Sequence, residues 1–323
     1  MNLLDLFVKI SVDSGDVNNQ IEEIGENANR LGGKFTNAAK KVAEFGAKAI
    51  AAASVAATAV GKYAIDVGSN FDSSMANVAA ISGATGESLD ALRDKAKEMG
   101  AKTKFSASES ADAFTYMAMA GWKTEEMLNG IDGIMNLAAA SGEDLALTSD
   151  IVTDALTAFG LQASDSAHFA DVLAAASNSA NTNVSMLGGS FKYVAPVAGA
   201  LGYSIEDVSV ALGLMANSGI KAEQAGTSMR AMLSRLAKPT KEVANAFESL
   251  GMDASEAIQN ADGTMKPFSE TMQILRDKMA GLSEAEKANV AAAIAGQEAM
   301  SGMLAIVNAS DSDFEKLTSA IAN

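Results

Sequence analysis

The chain has 323 residues, 48% hydrophobic but only 5% aromatic, with no cysteine, one histidine and a formal net charge of −16. These figures exclude disulfides, thiolate catalysis and Cys-based zinc sites, and leave little room for imidazole chemistry; so negative a chain also repels nucleic-acid phosphates and anionic lipid. What remains is mostly Ala, Leu, Val, Ile and 17 Met, broken by only three prolines, which are the residues of a helical protein.

Leu4, Leu6, Val8, Ile10 and Val12 alternate with Asp5, Phe7, Lys9 and Ser11. That period of two predicts one short strand, in an N-terminal arm over residues 1–15. From Ile21 the apolar positions change to a 3-4 spacing that runs to Tyr63 and predicts a long heptad helix over 16–67. Ile21, Ile24, Leu31 and Phe35 supply the large side chains of its seam; beyond Phe45 the seam is almost all alanine, and Gly32 with Gly33 weakens continuity. A strict heptad repeat tracks a partner helix, so these four residues are candidate interface positions in a homo-oligomer. The alternative is a single amphipathic helix lying on its own globular domain. The uncharged run between Lys48 and Lys62 is 13 residues, short of the ~20 that a spanning helix needs. Membrane contact short of spanning stays open.

From Phe71 to Asn323 the pattern predicts a compact multi-helix domain, making the fold class all-α with one short strand. Ser106 with Glu109, Ser204 with Asp207 and Ser283 with Glu286 have the spacing of a capping box. Asn260 to Thr264, NADGT, predicts a tight turn or small hairpin. Two stretches are alike: MAMAGWKTEE from Met117 and MANSGIKAEQ from Met215. Both run from a helix through a glycine into an acidic helix start. They predict two similar helical hairpins, near 106–126 and 204–224, each with a buried methionine and a C-terminal glycine in the left-handed conformation.

The chain offers little for catalysis. Glu125 with Glu126 and Glu143 with Asp144 fall at predicted helix starts, where acids favour the dipole. Asp311, Asp313 and Glu315 lack the glycine and closing glutamate of a calcium loop, and neither a P-loop nor a GxGxxG run occurs. No catalytic residue, metal or cofactor is expected, and Trp122 beside Gly121 is a packing anchor. GIKAEQAGTSMR, residues 219–230, stands apart because Gly226 interrupts a helical pattern, which points to a close approach of another backbone. Gly219, Ala225, Gly226, Thr227 and Arg230 are therefore candidate packing or interface residues, with a crossing helix and a protein contact through Arg230 both open.

The succession FDSSMANVAAISGAT, KFSASESADAFTYMAMAGW, LTAFGL, ADVLAAASN, GIKAEQAGTSMR, RLAKPT and GQEAM, in order between residues 71 and 300, resembles the conserved region of phage tail tape measure proteins, TP901-type minor tail proteins. The resemblance implies a structural, non-enzymatic role: the chain sets tube length during assembly and occupies the tube lumen until ejection. It implies a location in the virion tail, and in the host cytoplasm during assembly. The implied partners are tube, tip or baseplate proteins and assembly chaperones, around a three-fold or six-fold homo-oligomer without direct nucleic-acid contact. Family members are usually longer, and 323 residues in one helix reach only ~480 Å. An N-terminal portion, or a protein of a short tail-like device, is the expectation. Two readings from other classes are a helical wall-degrading enzyme, which needs a pair of carboxylates about 5 to 9 Å apart, and a pore-forming protein built on residues 42–67.

Overall fold

The structure, a computed structural model, describes residues 66–322. The predicted strand, most of the predicted heptad helix, and with it Ile21, Ile24, Leu31 and Phe35, lie outside the described residues. Residues 66–82 are helical, and residues 74–323 form a compact unit of their own. Among the described residues the architecture is all-α; a lone antiparallel bridge, Gln259 to Met265, closes the small hairpin predicted at NADGT.

Eight helices alternate between two layers. One layer holds α2 (Ala107–Met119), α4 (Leu145–Phe159), α6 (Val184–Leu201) and α8 (Ala222–Ala237). The other holds α1 (Glu87–Lys102), α3 (Thr124–Ser141), α5 (Ser166–Ser179) and α7 (Ile205–Asn217). In the first layer each helix packs broadly on the one two places earlier, α6 against α8 most of all, and α3 with α5 and α5 with α7 do the same in the second.

The contacts repeat at a nearly constant offset. Ser149 Oγ donates to the Ala113 carbonyl and Ser166 Oγ to the Gly130 carbonyl, both across 36 residues. Asn181 N donates to Asn217 Oδ1, again across 36, and Lys95 pairs with Asp132 across 37. First-layer helices start at residues 107, 145, 184 and 222, steps of 38, 39 and 38. A two-helix unit of this length, contacting mainly its neighbours, makes the stack a short α-solenoid.

Small residues allow the stacking. The fifth residue of each first-layer helix is Ala111, Ser149, Gly188 or Gly226, and three of the four face the seventh of the preceding helix. In the second layer a Cβ on Gly133 would stand 2.6 Å from the Ala167 Cα, and Gly130 leaves room for the buried Trp122. Alanine and glycine at these places lower the separation of the helix axes, and the burial of Phe114, Phe169, Phe191 and Met117 beside them fills the layer interface.

The remaining helices close the stack. They are α9 (Lys241–Ser249), α10 (Ala254–Ile258), α11 (Phe268–Met279), α12 (Glu284–Ala295), α13 (Met300–Val307) and α14 (Asp311–Ala322). α14 folds back on α5 and α7, with Leu317 against Gly213. Two arginines hold this region. Arg235 donates to the Ile294 and Ala293 carbonyls at the end of α12, where a cation satisfies both orphan acceptors and the helix dipole. Arg276, 7% exposed, donates to the carbonyls of Ile306 and Ala309 and to Asp311, tying α11 to both α13 and α14.

Candidate functional site at the α6–α8 junction

The two matching stretches have the same local geometry. Gly121 and Gly219 follow α2 and α7 with φ of 89° and 87°. Trp122 N reaches back to the Met117 carbonyl and Ile220 N to the Met215 carbonyl, both at 3.0 Å, and each glycine N–H adds a shorter-range bond. These are paired Schellman motifs, and both methionines are fully buried. The two copies nevertheless occupy different layers: α2 belongs to the first and α7 to the second. The matching segments are thus half a structural unit out of phase.

After Gly219 the chain enters α8 through Ala222, the only non-glycine residue with positive φ (49°) among those described. Ser190 Oγ donates to the Ala222 carbonyl at 2.8 Å, holding this unfavourable start against α6. One turn on, Ala225 and Gly226 are buried against α6. A Cβ on Gly226 would collide with the Ser190 carbonyl and stand 2.8 Å from its Cα. The backbone that the glycine admits belongs to this same chain. Thr227 and Arg230 turn the other way: Thr227 Oγ1 donates to the Glu223 carbonyl of its own helix, and the exposed Arg230 lies 6.0 Å from the centre of the Tyr193 ring. GIKAEQAGTSMR therefore divides into a buried face that sets the helix spacing and an outer face open to solvent.

Sequence reasoning missed the neighbouring polar features of that outer face. Asp150 and Asp154 stand one turn apart on α4, and Lys192 of α6 lies 3.8 Å from Asp150. Burial pushes the Asp154 carboxyl above the usual carboxylate range, Asp150 pushes the same way, and Lys192 opposes both. Beside them a cleft of about 160 Å³ is floored by Ile151, Ala155, Ala158, Gly188 and Phe191, with Asp154 and Lys192 at the rim. The available signal was the recurrence of small residues at helix position five, at a spacing of about 38.

The acid pairs weighed for catalysis act as caps. Glu126 accepts from Lys123 N, and Asp144 accepts from Leu147 N at 2.9 Å. Among the described residues no three His, Asp or Glu side chains cluster as metal ligands, and no helix is long and apolar enough to cross a membrane.

A family model described as phage-related minor tail protein matches residues 93–296, from within α1 to the end of α12. The chain belongs to this family. Within the minor tail proteins it is similar to the tape measure protein of Pneumococcus phage Dp-1, 40% identical over 259 residues, covering 80% of this chain and 22% of that one. It is also similar to the probable tape measure protein of Escherichia phage P2, 29% identical over 290 residues, covering 87% of this chain and 35% of that one. The chain thus spans about a fifth and about a third of the lengths of these relatives. No solved structure matches it. The matched residues include all of α2 to α8, and with them the Gly226 junction.

Proposed function

We propose that this chain works as a tape measure protein in a phage tail and that its stacked-helix domain is an anchoring head rather than the ruler. The observation that carries the reading is its similarity to two tape measure proteins across the stack. The geometry supports the division of labour. A first-layer helix adds about 8–10 Å to the stack, at a step of 38 or 39 residues. The same residues in one extended helix would add about 57 Å. Length is therefore set by other parts of the assembled protein, and this domain holds position among tube, tip or baseplate proteins and assembly chaperones. The 3-4 apolar spacing of residues 16–67 supports self-association, with Ile21, Ile24, Leu31 and Phe35 in contact between copies, and the rotational symmetry of a tail tube points to a three-fold or six-fold order within its lumen. The role is structural and non-enzymatic.

The test is a phage carrying an in-frame deletion of one structural unit, residues 145–182, with tail lengths measured by electron microscopy. An anchoring head gives tails of unchanged length, or none. Tails uniformly shortened by about 57 Å would make this domain part of the ruler. Loss of the whole gene product is expected to abolish tails of defined length; normal tails without it would exclude the tape measure role.

A further inference from the structure

The helix α14 crosses α5 and α7 with little burial of its own. Of its 12 residues only Leu317 and Ile321 are buried, and Phe314 is half-buried. These three stand at i, i+3 and i+7, the single apolar stripe of an amphipathic helix. Phe314 enters a crevice between Val210 and Leu214 of α7, Met272 of α11 and Ile306 of α13. Leu317 seats on a floor of small residues, where a Cβ on Gly213 would stand 3.0 Å from its Cδ2 and 3.3 Å from the Ala180 Cβ. The outward side carries Asp311, Asp313, Glu315 and Lys316, all exposed.

The polar ties of the closed helix are weak. Thr318 Oγ1 is buried with no hydrogen-bond partner, so closure desolvates a hydroxyl without replacing its bond, a cost that opening removes. The ion pair at the start of α14, Asp311 with Arg276, has its carboxylate 87% exposed and gains little in water. The hinge, by contrast, is held separately. Arg276 Nη1 donates to the Ile306 and Ala309 carbonyls and so fixes the end of α13 to α11. The next residue, Ser310, accepts from Asp313 N through its Oγ, a cap that belongs to α14 itself. Motion at Ser310 therefore breaks neither the anchor of α13 nor the first turn of α14. Nor do α5 and α7 depend on α14 to stay together, being joined by Asn181 with Asn217 at one end and by His168 with Glu206 at the other.

We propose that α14 is a latch. It opens as a unit about Ser310 while the stacked helices and α9 to α13 stay folded, and opening replaces a charged, hydrated surface by an apolar groove along Val210 and Gly213. This property is independent of which part of the assembly sets tail length.

The test is native-state hydrogen exchange of the full chain at low denaturant, read by mass spectrometry on peptides from α14, α5 and α7. The protected amides of α14 are expected to exchange at least about a hundredfold faster than those of α5 and α7, with a weaker denaturant dependence, as a sub-global opening requires. Leu317→Ala should speed exchange in α14 at least about tenfold and leave α5 and α7 within about twofold of the parent. A second readout uses the lack of native cysteine. Val210 is 4% exposed beside Phe314, so a thiol reagent should modify Val210→Cys faster than the chain unfolds globally. Exchange of α14 in step with α5 and α7 in both parent and Leu317→Ala, or modification of Val210→Cys only at the rate of global unfolding, would overturn the proposal. So would α14 amides with no protection at all, since a helix that never closes is not a latch.

Discussion

Ser190 and Gly226 bring α6 and α8 into backbone contact, with the Ser190 carbonyl occupying the place where a side chain at 226 would begin. Gly226→Ala should accordingly destabilise the fold by about 1–3 kcal/mol, because the obstacle is backbone and cannot rotate away. Gly189 supplies the contrast within the same junction. A Cβ there meets nothing nearer than 3.5 Å, so Gly189→Ala should be neutral or gain up to about 1 kcal/mol of helix propensity. Urea unfolding of the two variants beside the parent measures both signs; a harmless Gly226→Ala would mean that the helices can separate freely.

Arg276 joins α11, α13 and α14 through its hydrogen bonds. Its removal takes a charged donor from the Ile306 and Ala309 carbonyls at a side chain that is only 7% exposed. Arg276→Met should cost about 2–4 kcal/mol. Its carboxylate partner is mostly in water, Asp311 being 87% exposed. Asp311→Asn should therefore cost less than about 1 kcal/mol. Equal losses from the two variants in thermal unfolding would show that the ion pair matters more than the carbonyl contacts.

Asp207 departs from its predicted use in an informative way. Ser204 Oγ accepts from Asp207 N, as in a capping box, yet the Asp207 carboxylate turns to another helix and accepts from Phe268 N, Ser269 N and Ser269 Oγ at the start of α11. Asp207→Ala should cost about 1–2 kcal/mol, the usual effect of a lost cap. Hydrogen exchange should locate the loss at residues 268–271, with little change around Ser204. Fraying confined to the start of α7 would contradict this.

Asp154 gives a pH dependence of definite sign. Its carboxyl is raised in the folded protein, by burial first and by Asp150 second, so the folded state holds that proton more tightly than the unfolded chain. Ionisation therefore penalises folding. The penalty is absent below the ordinary value of 3.8 and complete above the raised one. Asp154→Asn should raise stability at neutral pH, with the gain fading as pH falls through the ordinary carboxylate range. A constant gain across that range, in denaturant titrations at several pH values, would remove the electrostatic cause.

Much of this was legible in local chemistry. Ser106 with Glu109 and Ser283 with Glu286 form reciprocal boxes, and the glycines at 121 and 219 take the left-handed conformation, because each depends only on residues a few positions away. The two-layer stack was not legible. Its contacts run at an offset near 36 residues through Ser149, Gly188 and Gly226, and alanine, serine and glycine are too common in this chain to reveal a period by identity. The clearest sequence match, 98 positions apart, pointed to a pair of hairpins and concealed that α2 and α7 lie in opposite layers. Asp154, Lys192 and the cleft were invisible for the same reason, since they come from helices that meet only across that offset.

The short reach of those contacts also bears on how the molecule folds. Each unit finds its partner among residues only some 36 to 38 positions back, so closing each contact costs little loop entropy and the stack can grow in the order in which a ribosome delivers it. α14 is the exception. Leu317 must find Gly213 and its helix must find α5, far earlier in the chain, so this closure comes after the helices beneath it are formed. The units from α1 to α8 would assemble during synthesis, and α14 would seal them once it has emerged.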